Sequence, residues 1–354
     1  MRRNGVLGGD SKSAGSGVHR APLERSSPLD PLLSKPRLSS TVLCAVLGTL
    51  MLAASLVIYF LSVHTLFGQE FDEVVWEGFY PLFTKKIPYL AFLPNLFTTE
   101  GFIISLICVL GLAGFVWAMA RKKFGLALQM FCFAVVAGVS STLWKHLTPR
   151  PDLLSKAHVL NTSPSGHSTA MLIACLLLLM GSAPSSRAWI VVLDWILASI
   201  LGISLVVERW HRPSDVVTAF FFVSSIGLYS MIFTRKSRMD EPGKRRSRPW
   251  LQVLCTLMIV LSAFGLAWGF YLVFQVSPGV QFDALWIQAP ACLAASLIIS
   301  SSAMLGIGLF GMMHQLTSSP LSPVGLIGPP PKPRSQRRRK REEVKEREQR
   351  IKIG

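Results

Sequence analysis

The chain has 354 residues, 51% hydrophobic and 16% charged, with 36 Lys and Arg against 19 Asp and Glu for a formal charge of +17. This apolar density excludes a soluble two-domain enzyme and fits a multi-span membrane protein. The positive charge does not point to nucleic acid. It sits in short segments between apolar runs and in the two tails, without a recognition motif, and reads as topogenic charge with attraction to anionic lipid headgroups at the basic tails.

Residues 1–40, rich in Gly, Ser, Pro and Arg, read as a disordered basic cytoplasmic tail. Eight apolar runs follow near 41–63, 101–120, 124–146, 168–184, 189–207, 214–234, 250–275 and 286–310. Each is close to the ~20 residues that cross a bilayer. The fold expected is an all-α polytopic membrane helix bundle of about eight transmembrane helices. A six-span core at 41–235 and two C-terminal spans at 250–312 are joined by a basic loop at 236–249. A Pro-rich, basic cytoplasmic tail fills 313–354.

The segment 64–100 carries Glu70, Asp72, Glu73 and Glu77 beside Trp76, Phe79, Tyr80 and Phe83. It reads either as an interfacial segment on the outer surface or as a plain connecting loop. If the N-terminus is cytoplasmic, 29 of the 36 Lys and Arg fall on the cytoplasmic side. That split satisfies the positive-inside rule with both termini inside. Asp194, the main acid within a span, is expected near the cytoplasmic end, where water reaches it. The six cysteines all lie in apolar runs without metal-ligand spacing and read as small buried hydrophobes.

Three polar clusters fall on the other side. Lys145 to Asp152 ends the third span, Pro164-Ser165-Gly166-His167 begins the fourth, and Glu208 to Asp215 lies between the fifth and sixth. Polar residues at membrane depth are costly, so their convergence points to function. A helix start offers unpaired N–H groups to a phosphate. Ser165 adds a hydroxyl, Gly166 lets the backbone approach closely, and His167 can carry a proton. His211 and Asp215 are four apart, and Pro213 suits a first helical turn. Asp215 can then orient one imidazole nitrogen and free the other for attack. A zinc site of two His and one Asp is the competing reading. The adjacent Lys and Arg speak against it by repelling a cation.

Pro164 to His167, with Ser204, His211 and Asp215, resembles the type 2 phosphatidic acid phosphatase family, which also includes the vanadium haloperoxidases. The resemblance spans roughly 100–235. It implies that His211 is the nucleophile forming a phosphohistidine, that Asp215 orients it, and that His167 protonates the leaving oxygen. It implies phosphate binding by Lys145, Arg150, Ser165 and Gly166, with no metal cofactor. Two departures stand out. Four residues separate Lys145 from Arg150-Pro151 where the family has six, and Leu205 occupies the position of the second phosphate-binding arginine. Arg209, two residues before His211, is the favoured substitute over Arg212, which adjoins the nucleophile.

The function expected is hydrolysis of a lipid phosphate or pyrophosphate (polyprenyl pyrophosphate, phosphatidic acid or phosphatidylglycerol phosphate) at the extracytoplasmic face of the plasma membrane. The same phosphohistidine could serve transfer to an acceptor other than water. With Leu205 in place of the arginine, a chain that only binds or assembles in the membrane is the reading from another class.

Overall fold

In a bilayer core every backbone N–H and C=O needs an internal partner, so apolar runs of this length become helices. The computed structural model describes residues 35–154, 161–240, 249–281 and 284–319. Among these it has no strand and ten α-helices: α1 (Leu38–Val63), α2 (Leu66–Lys86), α3 (Phe92–Thr98), α4 (Glu100–Ala120), α5 (Phe124–Leu147), α6 (Gly166–Gly181), α7 (Arg187–Val207), α8 (Pro213–Met231), α9 (Pro249–Gln281) and α10 (Gln288–Ser318). Seven of them are long and apolar enough to cross a membrane, and α6, with 16 residues, is a shorter apolar helix. The eight apolar runs are therefore eight helices of one polytopic bundle. Residues 1–34 of the tail expected at 1–40, 320–354 of the tail expected at 313–354 and most of the basic loop, 241–248, lie outside the described residues.

The helices divide by exposure. Helices α1, α4, α5 and α9 present large apolar side chains outward, among them Phe60, Val116, Phe131 and Phe274, as lipid-facing surfaces do. Helices α6, α8 and α10 are mostly buried and form the centre. Helix α10 packs against α9, α8, α7 and α2, so the last two spans are built into the bundle. Small residues permit the closest approaches. A Cβ added at Gly181 would stand 2.0 Å from the Gly114 carbonyl oxygen, which fixes how closely α6 lies on α4.

Expectation and structure differ in three places. The segment 64–100 is helical rather than a plain loop, and α2 packs against α1, α7, α8, α9 and α10. Helix α10 continues to Ser318, past the expected end near 310, because His314, Gln315, Thr317 and Ser318 are buried against the bundle. Asp194 is fully buried. It lies two turns inside α7 with no exposed surface, and neither carboxylate oxygen has a hydrogen-bond partner among the described residues.

The bundle has two polar ends. One collects the end of α5, the starts of α6 and α8, the end of α7, and α2. The other collects residues 121–123, 182–187 and 235–240 and the end of α10. There Asp240 takes both Nη groups of Arg187, at 2.7 and 2.8 Å, and Arg121 Nη2 at 3.2 Å. Arg121 also donates to the Gly181 and Ser182 carbonyls, and the Asp240 N–H donates to the Ser318 carbonyl. Burial would raise the Asp240 pKa, but Arg187, aided by His314 and Arg121, holds it well below the usual carboxylate range.

Candidate active site

Helix α7 ends in a turn that returns the chain toward the bundle. The Trp210 N–H donates to the Leu205 carbonyl at 2.9 Å and the Arg209 N–H to the Val206 carbonyl at 3.1 Å. This pair is a Schellman closure, which needs a left-handed residue. Arg209 fills that position with φ 62°. A non-glycine residue there carries local strain on the order of 1 kcal/mol. Leu205 itself is fully buried, and its carbonyl helps form the turn that presents His211.

Helix α8 then begins at Pro213, as its sequence position suggests. Asp215, in its first turn, is fully buried. Its Oδ2 accepts from Thr162 Oγ1 at 2.5 Å and from the Arg212 N–H at 3.2 Å, and stands 3.6 Å from His211 Nδ1. That last separation is longer than a hydrogen bond, and Asp215 Oδ1 and His211 Nδ1 both lack a partner among the described residues. The expected facing of His211 and Asp215 is present in a loosened form, as catalytic hydrogen bonds often are without ligand.

The loop before α6 is tied to both neighbours. Asn161 Nδ2 donates to the Thr148 carbonyl at 2.6 Å, and the Ser165 N–H donates to the Asp215 carbonyl at 3.0 Å. Ser165 caps α6 by accepting from the Ser168 N–H at 3.3 Å, which leaves its own hydroxyl proton to donate elsewhere. The amides of Gly166 and His167 have no preceding turn to accept them. A Cβ at Gly166 would meet no atom within 4 Å, so the space beside the Gly166 Cα is open. The His167 ring lies 6.0 Å from that of His211 and 5.3 Å from that of Trp210.

Lys145, Gly166, His167 and His211 line one cavity of about 470 Å³. Its other wall is Ile103, Ile104, Ile107 and Cys108 of α4, of which Ile104 and Cys108 are exposed on the lipid-facing side. Arg150, Arg209 and Arg212 are not in that wall. Arg150 is buried, with Nε and Nη1 unpartnered among the described residues. Burial lowers its pKa and Arg212 adds to the effect, while Asp72, Asp215 and Glu73 oppose it. It therefore shares a charged cluster with all four. Arg209 Nη2 donates to the Glu77 carbonyl at 2.8 Å, on the exposed side of the turn.

Asp72, Glu73 and Trp76 of α2 went unselected by their sequence. Asp72 accepts from both the N–H and the hydroxyl of Ser214, the residue before Asp215. Burial, then Asp215, pushes its pKa up to about 7 against the pull of Ser214, Arg150 and Arg212. Gln69, also on α2, donates to the Pro151 carbonyl at 2.7 Å. The mixture of acids with aromatics was the signal available. Among the described residues no three His, Cys, Asp or Glu side chains gather as a metal site.

Fold and site together define a polytopic helical membrane protein with a cluster of histidines, cations and buried carboxylates at one end of its bundle. Residues 123–239, which contain Lys145, His167, His211 and Asp215, match the PAP2 superfamily model, so the resemblance read from the motifs holds over that segment and makes it phosphatase-like. No curated protein and no solved structure matches the chain. Helices α1 to α4, α9 and α10 lie outside the matched segment.

Proposed function

We propose that the protein is a membrane lipid phosphatase acting through a phosphohistidine. The observation that carries this is the cavity shared by Lys145, His167 and His211 on one side and the lipid-facing residues of α4 on the other. A phosphate can meet the polar side chains there while its lipid tail stays in hydrocarbon. A water-soluble ester would gain nothing from the α4 wall.

The steps follow from the groups present. With Nδ1 turned to Asp215, His211 attacks phosphorus through Nε2. The bond from phosphorus to the lipid oxygen breaks, and that oxygen takes a proton from His167. Water, giving a proton back to His167, then attacks the phosphohistidine and releases inorganic phosphate. Lys145 and the amide of Gly166, which line the cavity, stabilise the equatorial oxygens, and Ser165, Arg150 and either Arg209 or Arg212, which are not among its lining residues, join them once the phosphate is bound. The bundle end opposite the site carries Lys35, Arg37, Arg121, Lys122, Lys123, Arg187, Arg235, Lys236 and Arg238. This supports a cytoplasmic location for that end and an extracytoplasmic site in the plasma membrane.

Purified protein in detergent, offered a panel of polyprenyl pyrophosphate, phosphatidic acid and phosphatidylglycerol phosphate, is expected to release phosphate from at least one in a vanadate-sensitive manner. His211→Ala should lower that rate by about 10⁴-fold or more, as removal of a nucleophile does. A wild-type chain inactive on the whole panel, or His211→Ala with unchanged rate, overturns the reading.

A further inference from the structure

The family pattern leaves a gap at Leu205, and the substitute guanidinium must be held near His211 by something. Helix α2, outside the matched segment, is placed to do so. Glu73 Oε2 lies 3.4 Å from Arg212 Nη2, and the pair is mostly buried, with side chains 13% and 15% exposed. The Trp76 ring has the guanidinium carbons of Arg209 and Arg212 at 5.6 and 5.7 Å from its centroid. Trp76 Nε1 also donates to the Arg209 carbonyl at 3.0 Å, which fixes the ring against the turn before His211.

The two arginines are differently occupied. Arg209 is spent on the turn: its backbone holds the left-handed position and its side chain reaches the Glu77 carbonyl. Arg212 keeps a buried Nε without a partner among the described residues, as Arg150 keeps Nε and Nη1. Two guanidinium groups that sense each other, among Asp72, Asp215 and Glu73, retain donors that these carboxylates leave open. Arg187 also has an open Nε, so a single open donor does not mark a ligand site; two neighbouring guanidinium groups with three open nitrogens between them, Arg150 Nε and Nη1 and Arg212 Nε, are an arrangement a ligand completes.

We propose that Arg212 is the second guanidinium of the phosphate site and that Glu73 and Trp76 of α2 are its positioning residues, replacing the arginine absent at Leu205. Glu73 fixes one edge of the guanidinium and Trp76 its face, which leaves Nε for the anion. The proposal rests on the phosphatase reading and deepens it, since it makes a helix outside the matched segment part of the site.

The test is orthovanadate binding, followed by thermal shift of the full chain in detergent, with a KM-against-kcat measurement on the lipid that the wild type hydrolyses. Arg212→Ala is expected to weaken vanadate binding by about 100-fold and Glu73→Gln by about 10-fold, with KM rising more than kcat falls. In the Arg212→Ala background, Glu73→Gln should cost nothing further, because its only route to the anion is gone. Arg212→Lys, which keeps charge but loses the fork, should fall between wild type and alanine and provides a second background should the alanine variant not fold. Glu70→Gln, on the same helix, is the control and should bind as wild type.

Wild-type vanadate affinity in Arg212→Ala, or a Glu73→Gln loss that simply adds to that of Arg212→Ala, overturns the proposal while leaving the phosphatase reading intact. Arg209→Ala losing more affinity than Arg212→Ala overturns it too. Wild-type protein that binds no vanadate overturns the phosphatase reading and the brace together.

Discussion

The two polar ends of the bundle are built from the same residue types and finished differently. Opposite the site, the Arg187 guanidinium is buried and both its Nη groups are taken by Asp240, which also holds Arg121. At the site end, Arg150 is also buried, and its Nε and Nη1 have no partner among the described residues; Arg212 Nε has none either, a feature it shares with Arg187 Nε. A buried cation whose two Nη groups are held by the protein ties helices together. One with an open Nη group, as Arg150 has, leaves a terminal donor for an anion. Arginine content alone would not separate these ends.

Breaking the filled end should have the larger effect on folding. Asp240→Ala strands Arg187 in a buried position and takes away the acceptor that joins α4 and α7 to the loop after α8. The expected loss is about 3–5 kcal/mol of stability. Thermal unfolding in detergent should show it, with kcat per folded molecule unchanged. A Tm within a degree or two of wild type would mean that the cluster is solvated and no staple.

Breaking the open end should have the opposite signature. Arg150→Ala removes a group two of whose nitrogens have no partner among the described residues, so Tm should fall less than in Asp240→Ala while kcat/KM falls by about 10²–10³-fold, the usual cost of losing one preorganised donor to a developing charge. The shortened spacing to Lys145 makes this a sharp check. Unchanged kcat/KM would place Arg150 outside the phosphate site and leave the charged cluster a structural feature.

The contrast also shows what was legible in the sequence. Apolar run length encodes helices locally, so all eight apolar helices could be read. Lys145, His167 and His211 sit at helix ends, and alternating topology brings those ends to one side, so their meeting around a cavity could be read as well. The α2 brace could not, because Glu73 and Arg212 are 139 positions apart and no local spacing relates them. The polar end of α10 looked like the start of a tail because His314, Gln315, Thr317 and Ser318, interrupted only by Leu316, give no sign that a neighbour buries them. Asp194 misled for the same reason: its depth along α7 was countable, but which neighbours close over it was not.

Asp72 offers the finest probe of the comparison, since it sits among the open groups without touching the cavity. Its folded pKa of about 7 exceeds the ordinary carboxylate value, so the folded state binds the extra proton. The unfolded chain ionises first as pH rises. The stability this group contributes is therefore greatest below the ordinary carboxylate range and is lost as pH climbs to about 7. Asp72→Asn keeps an acceptor for Ser214 and cannot ionise, so its stability relative to wild type should grow as pH climbs toward 7 and level off above it. The expected gap at pH 8 is on the order of 1–3 kcal/mol. The site histidines are common to both proteins, so the difference isolates Asp72. Vanadate affinity should follow the same course. Above pH 7 a new negative charge beside Asp215 and Arg150 opposes the anion in wild type and is missing in the variant. Parallel pH profiles for the two proteins would show that Asp72 keeps one protonation state throughout and that α2 reaches the site through Glu73 and Trp76 alone.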